Sequence, residues 1–142
     1  MRLAVILTVA CLNAAGCATQ TAPAPVTERI LDGDNSQKIT GALLSSMVGA
    51  GYSLDSESPH QVVFTKSIMN KIPVGMALSF PAGMRGAWQT ITFTIVPSGQ
   101  QTRIIATPGF RVQPPNGQMV NYESKATADL ENARSLLNNV AL

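Results

Sequence analysis

Apolar positions recur along this chain at different spacings, and each spacing predicts a different kind of element. Residues 3–12 (LAVILTVACL) form an apolar run interrupted only by Thr8. From 18 to 27 (ATQTAPAPVT) there is no period, and Pro23 and Pro25 mark a tether. Over 37–50, Ile39, Leu43 and Met47 are spaced four apart, with Leu44 and Val48 beside them, which predicts an amphipathic helix. The cluster 32–36 (DGDNS) leads into it, with Asn35 or Ser36 as the cap, and Gly51 is placed to end it. Gly41 and Gly49 weaken this helix and leave room for close packing.

The period then changes to two. Residues 52–56 and 61–67 predict short strands around the turn Glu57-Ser58-Pro59-His60. The clearest strand is 88–96, where Ile91, Phe93 and Ile95 alternate with Thr90, Thr92 and Thr94. The turn Pro97-Ser98-Gly99-Gln100 returns the chain along 102–107, a hairpin. Residues 110–113 continue that strand or form another, and 119–122 reads as a short edge strand after the turn Pro114-Pro115-Asn116-Gly117. The last period is helical: Ala126, Leu130, Ala133, Leu137 and Val140 share one face of a helix over 124–140, with Lys125, Asp129, Glu131 and Arg134 on the other. The expected fold is α+β, an antiparallel sheet of about four to five strands with an N-terminal and a C-terminal helix packed on one face. The expected organisation is a signal segment at 1–16, a tether at 17–29 and one domain at 30–142, long enough for a core of its own.

The run at 3–12 is too short to span a bilayer, which takes about 20 apolar residues. With Arg2 ahead of it, it fits the h-region of a secretory signal. Ala15-Gly16-Cys17 closes the segment and resembles the lipobox of bacterial lipoproteins, in which the Cys is acylated and becomes the mature N-terminus. Ala14 departs from that pattern, where Leu is usual, and Cys11 would leave a shorter h-region than Cys17. No Cys follows Cys17, as expected if the one thiol after export is an anchor. A cleaved secretory signal that leaves Cys17 as a free thiol is the competing reading. In the resemblance, Ala18 rather than Asp after the Cys implies retention at the outer membrane, facing the periplasm. A Pro-rich tether of this length reaches roughly 30 Å at about 3.1 Å per residue.

Composition narrows function mostly by exclusion. The 142 residues carry a formal charge of +2, too little for a nucleic-acid footprint, so no nucleic-acid partner is expected. One His and two Cys leave no basis for a zinc finger or a disulfide scaffold. His60 lies in a Pro-containing turn with no nucleophile motif to serve, so no catalytic residue is assigned. Asp32-Gly33-Asp34-Asn35-Ser36 fails as a calcium loop, because the Gly and Glu positions hold Gln37 and Leu43. Gly75, Gly83 and Gly86 match no phosphate-binding spacing, and Arg103 and Arg111 read as a solvated strand face. No metal and no cofactor are expected.

The unusual stretch is 67–86 (SIMNKIPVGMALSFPAGMRG), which carries Met69, Met76 and Met84 and no acidic residue. Copper(I) ligation by three Met lacks the help of a His or Cys. Two readings stay open: an insertion folded back over the core, or an adaptable apolar contact surface centred on Met76, Leu78 and Phe80.

Taken together, the Ala15-Gly16-Cys17 box, the Thr-Ala-Pro-Ala-Pro tether, the helix running into Gly51-Tyr52-Ser53-Leu54 and the strand pair 91–96 with 102–106 resemble small lipoproteins of Gram-negative bacteria. The helix-then-strand entry is similar in pattern to the helix-grip-like repeats of a lipoprotein subunit of the outer-membrane barrel-assembly machine. The resemblance implies a membrane-anchored, non-enzymatic envelope protein with a protein-interaction or envelope-assembly role. The alternative is a tethered carrier of a small ligand or lipid. A deep apolar cavity between sheet and helices would mark the carrier, and a filled core the interaction module.

Overall fold

The computed structural model describes residues 27–33, 36–72 and 82–140. Cys17, the signal segment and the side chains of Met76, Leu78 and Phe80 lie outside the described residues. The elements are β1 (Glu28–Asp32), α1 (Ser36–Gly49), β2 (Ser53–Ser58), β3 (Gln61–Ser67), a 3₁₀ turn (Met69–Lys71), β4 (Gly86–Ser98), β5 (Gln101–Gln113), β6 (Val120–Glu123) and α2 (Thr127–Asn138).

All strands pair antiparallel in one sheet of order β1-β5-β4-β3-β2, with β6 also on β5. Among the described residues the sheet therefore has six strands, not four to five. The difference arises at β5, whose outer edge is long enough to be shared. β1 pairs along 101–105 and β6 along 109–112. β1 begins at Glu28, inside the stretch read as tether and two residues before the expected domain start. Residues 110–113 continue β5 without a break.

A strand with Pro108-Gly109 at its middle stays continuous for a specific reason. The Ala106 N–H donates to the Thr27 carbonyl at 2.8 Å on the β1 side of β5. Two residues on, the Pro108 nitrogen points to the same edge, because a strand repeats every two residues. There β1 has ended and β6 has not begun, so the donor that proline lacks is not needed. The Pro108 carbonyl, on that edge too, accepts from the Ser124 N–H at 2.9 Å.

Alternation sorts the sheet into two faces. Val62 pairs with Phe93 and Phe93 with Ala106; Phe64 pairs with Ile91 and Ile95 with Ile104. These residues form one buried cluster with Ile39, Leu43 and Met47 of α1 and Ala133 and Leu137 of α2. Phe64 and Phe93 meet edge to face, with ring centroids 5.9 Å apart. Each such side chain contributes about 1.5–3 kcal/mol by leaving water. The helical stripes expected at 39, 43, 47 and at 133, 137 are the ones buried.

Gly51 ends α1 as expected. The Tyr52 N–H reaches back to the Met47 carbonyl at 3.0 Å and the Gly51 N–H to Val48 at 3.0 Å, with Gly51 at φ 82°. This is the Schellman pattern, which needs a residue free to take positive φ. It delivers Tyr52 into the core cluster. The close-packing use allowed for Gly41 and Gly49 is not found among the described residues, since a Cβ at either would meet nothing within 4 Å.

Candidate functional site

The opposite sheet face carries the other half of each alternation. Its middle is hydroxyl-rich: Thr65 pairs with Thr90, and Thr92 with Thr107. Threonine is what β-propensity selects for a solvated strand, so the hydroxyls alone mark nothing. Their surroundings do.

β2 bulges between Leu54 and Ser56, and the extra residue is Asp55. A bulge re-aims a side chain. Here the Asp55 carboxylate meets the Arg111 guanidinium in a two-pronged pair, with Nη1 to Oδ1 at 2.6 Å and Nη2 to Oδ2 at 2.9 Å. Arg111 Nε donates to Asn121 Oδ1 of β6 at 3.0 Å. Strands β3 and β4 lie between β2 and β5, so about 14 Å of flat sheet, plus an offset along the strands, would separate the two residues. That exceeds the reach of an Arg and an Asp side chain. The contact closes because the twisted sheet is concave along this diagonal.

Beneath and beside the pair is a cleft of about 300 Å³ lined by Val63, Thr90, Thr92, Thr107, Arg111, Asn121, Tyr122 and Glu123. Val63 and the three threonines are half-buried, although the opposite face holds the helices' cluster. Gly109 deepens the floor: a Cβ there would stand 2.5 Å from the Tyr122 carbonyl oxygen and 2.9 Å from Thr90 Oγ1.

At one end of the cleft, Trp88 stands directly opposite Arg111 in the β4–β5 register. Its indole lies over Gly86, with Cη2 2.0 Å and Cζ3 2.5 Å from where a Gly86 Cβ would be. Only glycine lets the ring come this close to the strand. At the other end, Arg103 Nη2 pairs with Glu28 Oε2 at 2.6 Å. Arg103 and Arg111, read from sequence as a solvated face, do share that face, and each is committed to a carboxylate.

Among the sequence-derived candidates, His60 sits exposed in the β2–β3 turn. No group of three or more His, Cys, Asp or Glu side chains that could hold a metal is gathered among the described residues. The described ends of the 67–86 stretch are fixed to the sheet. The Ile68 N–H donates to the Ala87 carbonyl at 2.9 Å and the Arg85 N–H to the Gln113 carbonyl at 2.7 Å. Both anchors lie at the Trp88 end. Sequence reading missed Asp55, Trp88, Asn121 and Glu123 as partners. The available signal was the Thr alternation around Ile91, Phe93 and Ile95, which defines a polar face without saying what gathers on it.

On the helix side a second polar group is assembled. The Tyr52 hydroxyl donates to Gln89 Oε1 at 3.0 Å, and Lys66 lies over the Tyr52 ring with its Nζ 5.2 Å from the centroid. Lys66 Nζ also donates to the Ala50 carbonyl at 2.7 Å, at the C-terminal end of α1, where a cation is favoured. Burial raises the Tyr52 pKa, Asp129 adds to the rise, and a hydrogen bond with Asn132 opposes it. These contacts fasten α1 and α2 to the sheet. Compared with known proteins, the chain matches no protein-family model and no curated sequence.

Proposed function

We propose that the chain is a bacterial envelope lipoprotein, acylated at Cys17 and held at the outer membrane facing the periplasm. Its domain is a non-enzymatic interaction module with both helices packed on one sheet face, acting on an envelope protein partner. In this reading the tether from Cys17 meets the domain at the edge strand β1, which Thr27 directly precedes.

The observation that favours an interaction module over a carrier is the packing between sheet and helices. Ile39, Leu43, Met47, Phe93 and Leu137 have at most 1% of their surface accessible, so no water-sized void borders them. Around these residues the space a carried lipid would need is occupied by side chains, and the cleft beside α1 at Thr40, Leu44 and Pro59 is open to solvent. The partner contact is assigned to 67–86, with Met76, Leu78 and Phe80 as its apolar centre.

Two measurements test this. Labelled palmitate should enter the parent protein and not the Cys17→Ser variant, which should accumulate as an unprocessed or soluble form. A parent whose mature form carries no lipid on Cys17 overturns the anchor. In-cell crosslinking from positions 76, 78 and 80 should trap one envelope protein, and replacing all three by Ser should abolish the adduct with the unfolding midpoint nearly unchanged. A triple variant that does not fold assigns these side chains to the core, at about 2–5 kcal/mol per truncation.

A further inference from the structure

We infer that the concave Thr-lined face is a saccharide-binding site, and that its ligand is an uncharged glycan strand of pyranoses. A pyranose presents two surfaces: C–H groups on its ring face and hydroxyls around its edge. The protein face offers the complement of both. The indole of Trp88 packs against Gly86 and the residue is partly exposed, which leaves an apolar aromatic surface beside the cleft. Next to it, Thr90, Thr92 and Thr107 supply hydroxyls that both donate and accept, and Asn121 and Glu123 supply planar amide and carboxylate groups.

Charge selects among polar ligands. Arg111 is committed to Asp55 and Asn121, and Arg103 to Glu28. Neither Arg103 nor Arg111 is therefore left for a phosphate or an anionic headgroup, while Glu123 repels one. A neutral, hydroxyl-rich ligand meets neither penalty. The Asp55–Arg111 clasp also holds the face concave before any ligand arrives, which lowers the ordering cost of binding. The cleft of about 300 Å³ is at the small end of ligand sites, the size for one sugar ring at a time along an open face. That the strand belongs to the cell wall rests on the periplasmic placement proposed above; the saccharide chemistry does not.

Trp88 is the only tryptophan, so its emission reports this site alone. The full chain, purified in a detergent that is not a glycoside, is titrated with the β-1,4-linked tetramer of N-acetylglucosamine and with cell-wall glycan stripped of its peptides. Saturable shifts of Trp88 emission are expected with both. Thr92→Val with Thr107→Val keeps shape and β-propensity and removes two hydroxyls, and should weaken binding at least tenfold. Asn121→Ala, on the short exposed strand β6, should weaken it several-fold and serves if the Thr variant unfolds. Absence of any saturable change at millimolar saccharide overturns the site, as does equal affinity in both variants or a response to anionic lipid vesicles alone. Binding of the tetramer without the cell-wall strand overturns the cell-wall source and leaves the acylation test unaffected.

Discussion

Arg29 Nη1 donates to the Val140 carbonyl at 2.9 Å and to the Leu137 carbonyl at 3.2 Å, so the first strand of the domain caps its last helix. The helix C-terminus carries unsatisfied carbonyls and a partial negative charge, and a guanidinium answers both. The same strand that pairs with β5 thus also holds the last turn of α2. Replacing Arg29 by Met keeps the aliphatic stem and removes the donors. It should cost about 1–2 kcal/mol, from hydrogen bonds to a charged group in a part-buried setting. Urea unfolding measures it, and hydrogen exchange should show the loss concentrated in the last turn of α2. A uniform loss across the sheet would show that the stem, not the cap, matters.

Gly109 tests the shared edge of β5. A Cβ there would stand 2.5 Å from the Tyr122 carbonyl oxygen, which is backbone and cannot swing aside. Gly109→Ala should push β6 off β5 and leave β1 in place, because β1 pairs only up to Ile105. Amide exchange should accelerate at 120–123 and remain slow at 28–32.

These two sites mark where sequence reading worked and where it stopped. The helices and the β4–β5 hairpin were legible because their own side chains repeat at 3.6 or 2. The Ile39, Leu43 and Met47 stripe, for example, is buried along its length. β1 was not legible. In ERILD only Leu31 packs against the core cluster, while Ile30 faces outward and is 58% exposed. Its strand state comes from pairing with β5 and from Arg29 reaching α2, neither of which leaves a local period. Pro108 reads as a break because sequence does not show which edge its nitrogen faces. The candidate face fails for the same reason at longer range. Asp55 and Arg111 are brought together by a bulge and by sheet curvature, which exist only once the strands are paired.

The two glycine positions in and after α1 should respond with opposite signs. Gly51 stands at φ 82°, and an Ala there also brings its Cβ to 3.3 Å from Lys66 Nζ. Gly51→Ala should cost about 1–2 kcal/mol for the left-handed backbone. Gly41 has an ordinary helical backbone and open space around it. Gly41→Ala should stabilise by about 0.5–1 kcal/mol, since glycine loses more freedom on folding. Denaturant midpoints of the two variants against the parent check this, with an unchanged slope showing that stability alone has moved.

Tyr52 gives the domain an alkaline dependence of its stability. Its side chain is 5% exposed, and burial raises its pKa above the ordinary tyrosine value of about 10. The nearby Asp129 carboxylate pushes in the same direction, against the Asn132 hydrogen bond. In the unfolded chain the phenol ionises at its ordinary value, while the folded domain keeps the proton longer. Above that value the native state binds more protons than the unfolded one, so stability must fall as pH rises. The contribution is complete below about pH 10 and is lost from there upward through the folded-state pKa. Unfolding free energy measured from pH 8 to 11.5 should therefore decline at the top of the range. Tyr52→Phe removes the ionisable group while keeping the ring under Lys66. It should be less stable at pH 8, by about 1 kcal/mol for the lost hydrogen bond to Gln89, and show a shallower alkaline decline than the parent. Equal declines in the two proteins would place the alkaline loss elsewhere.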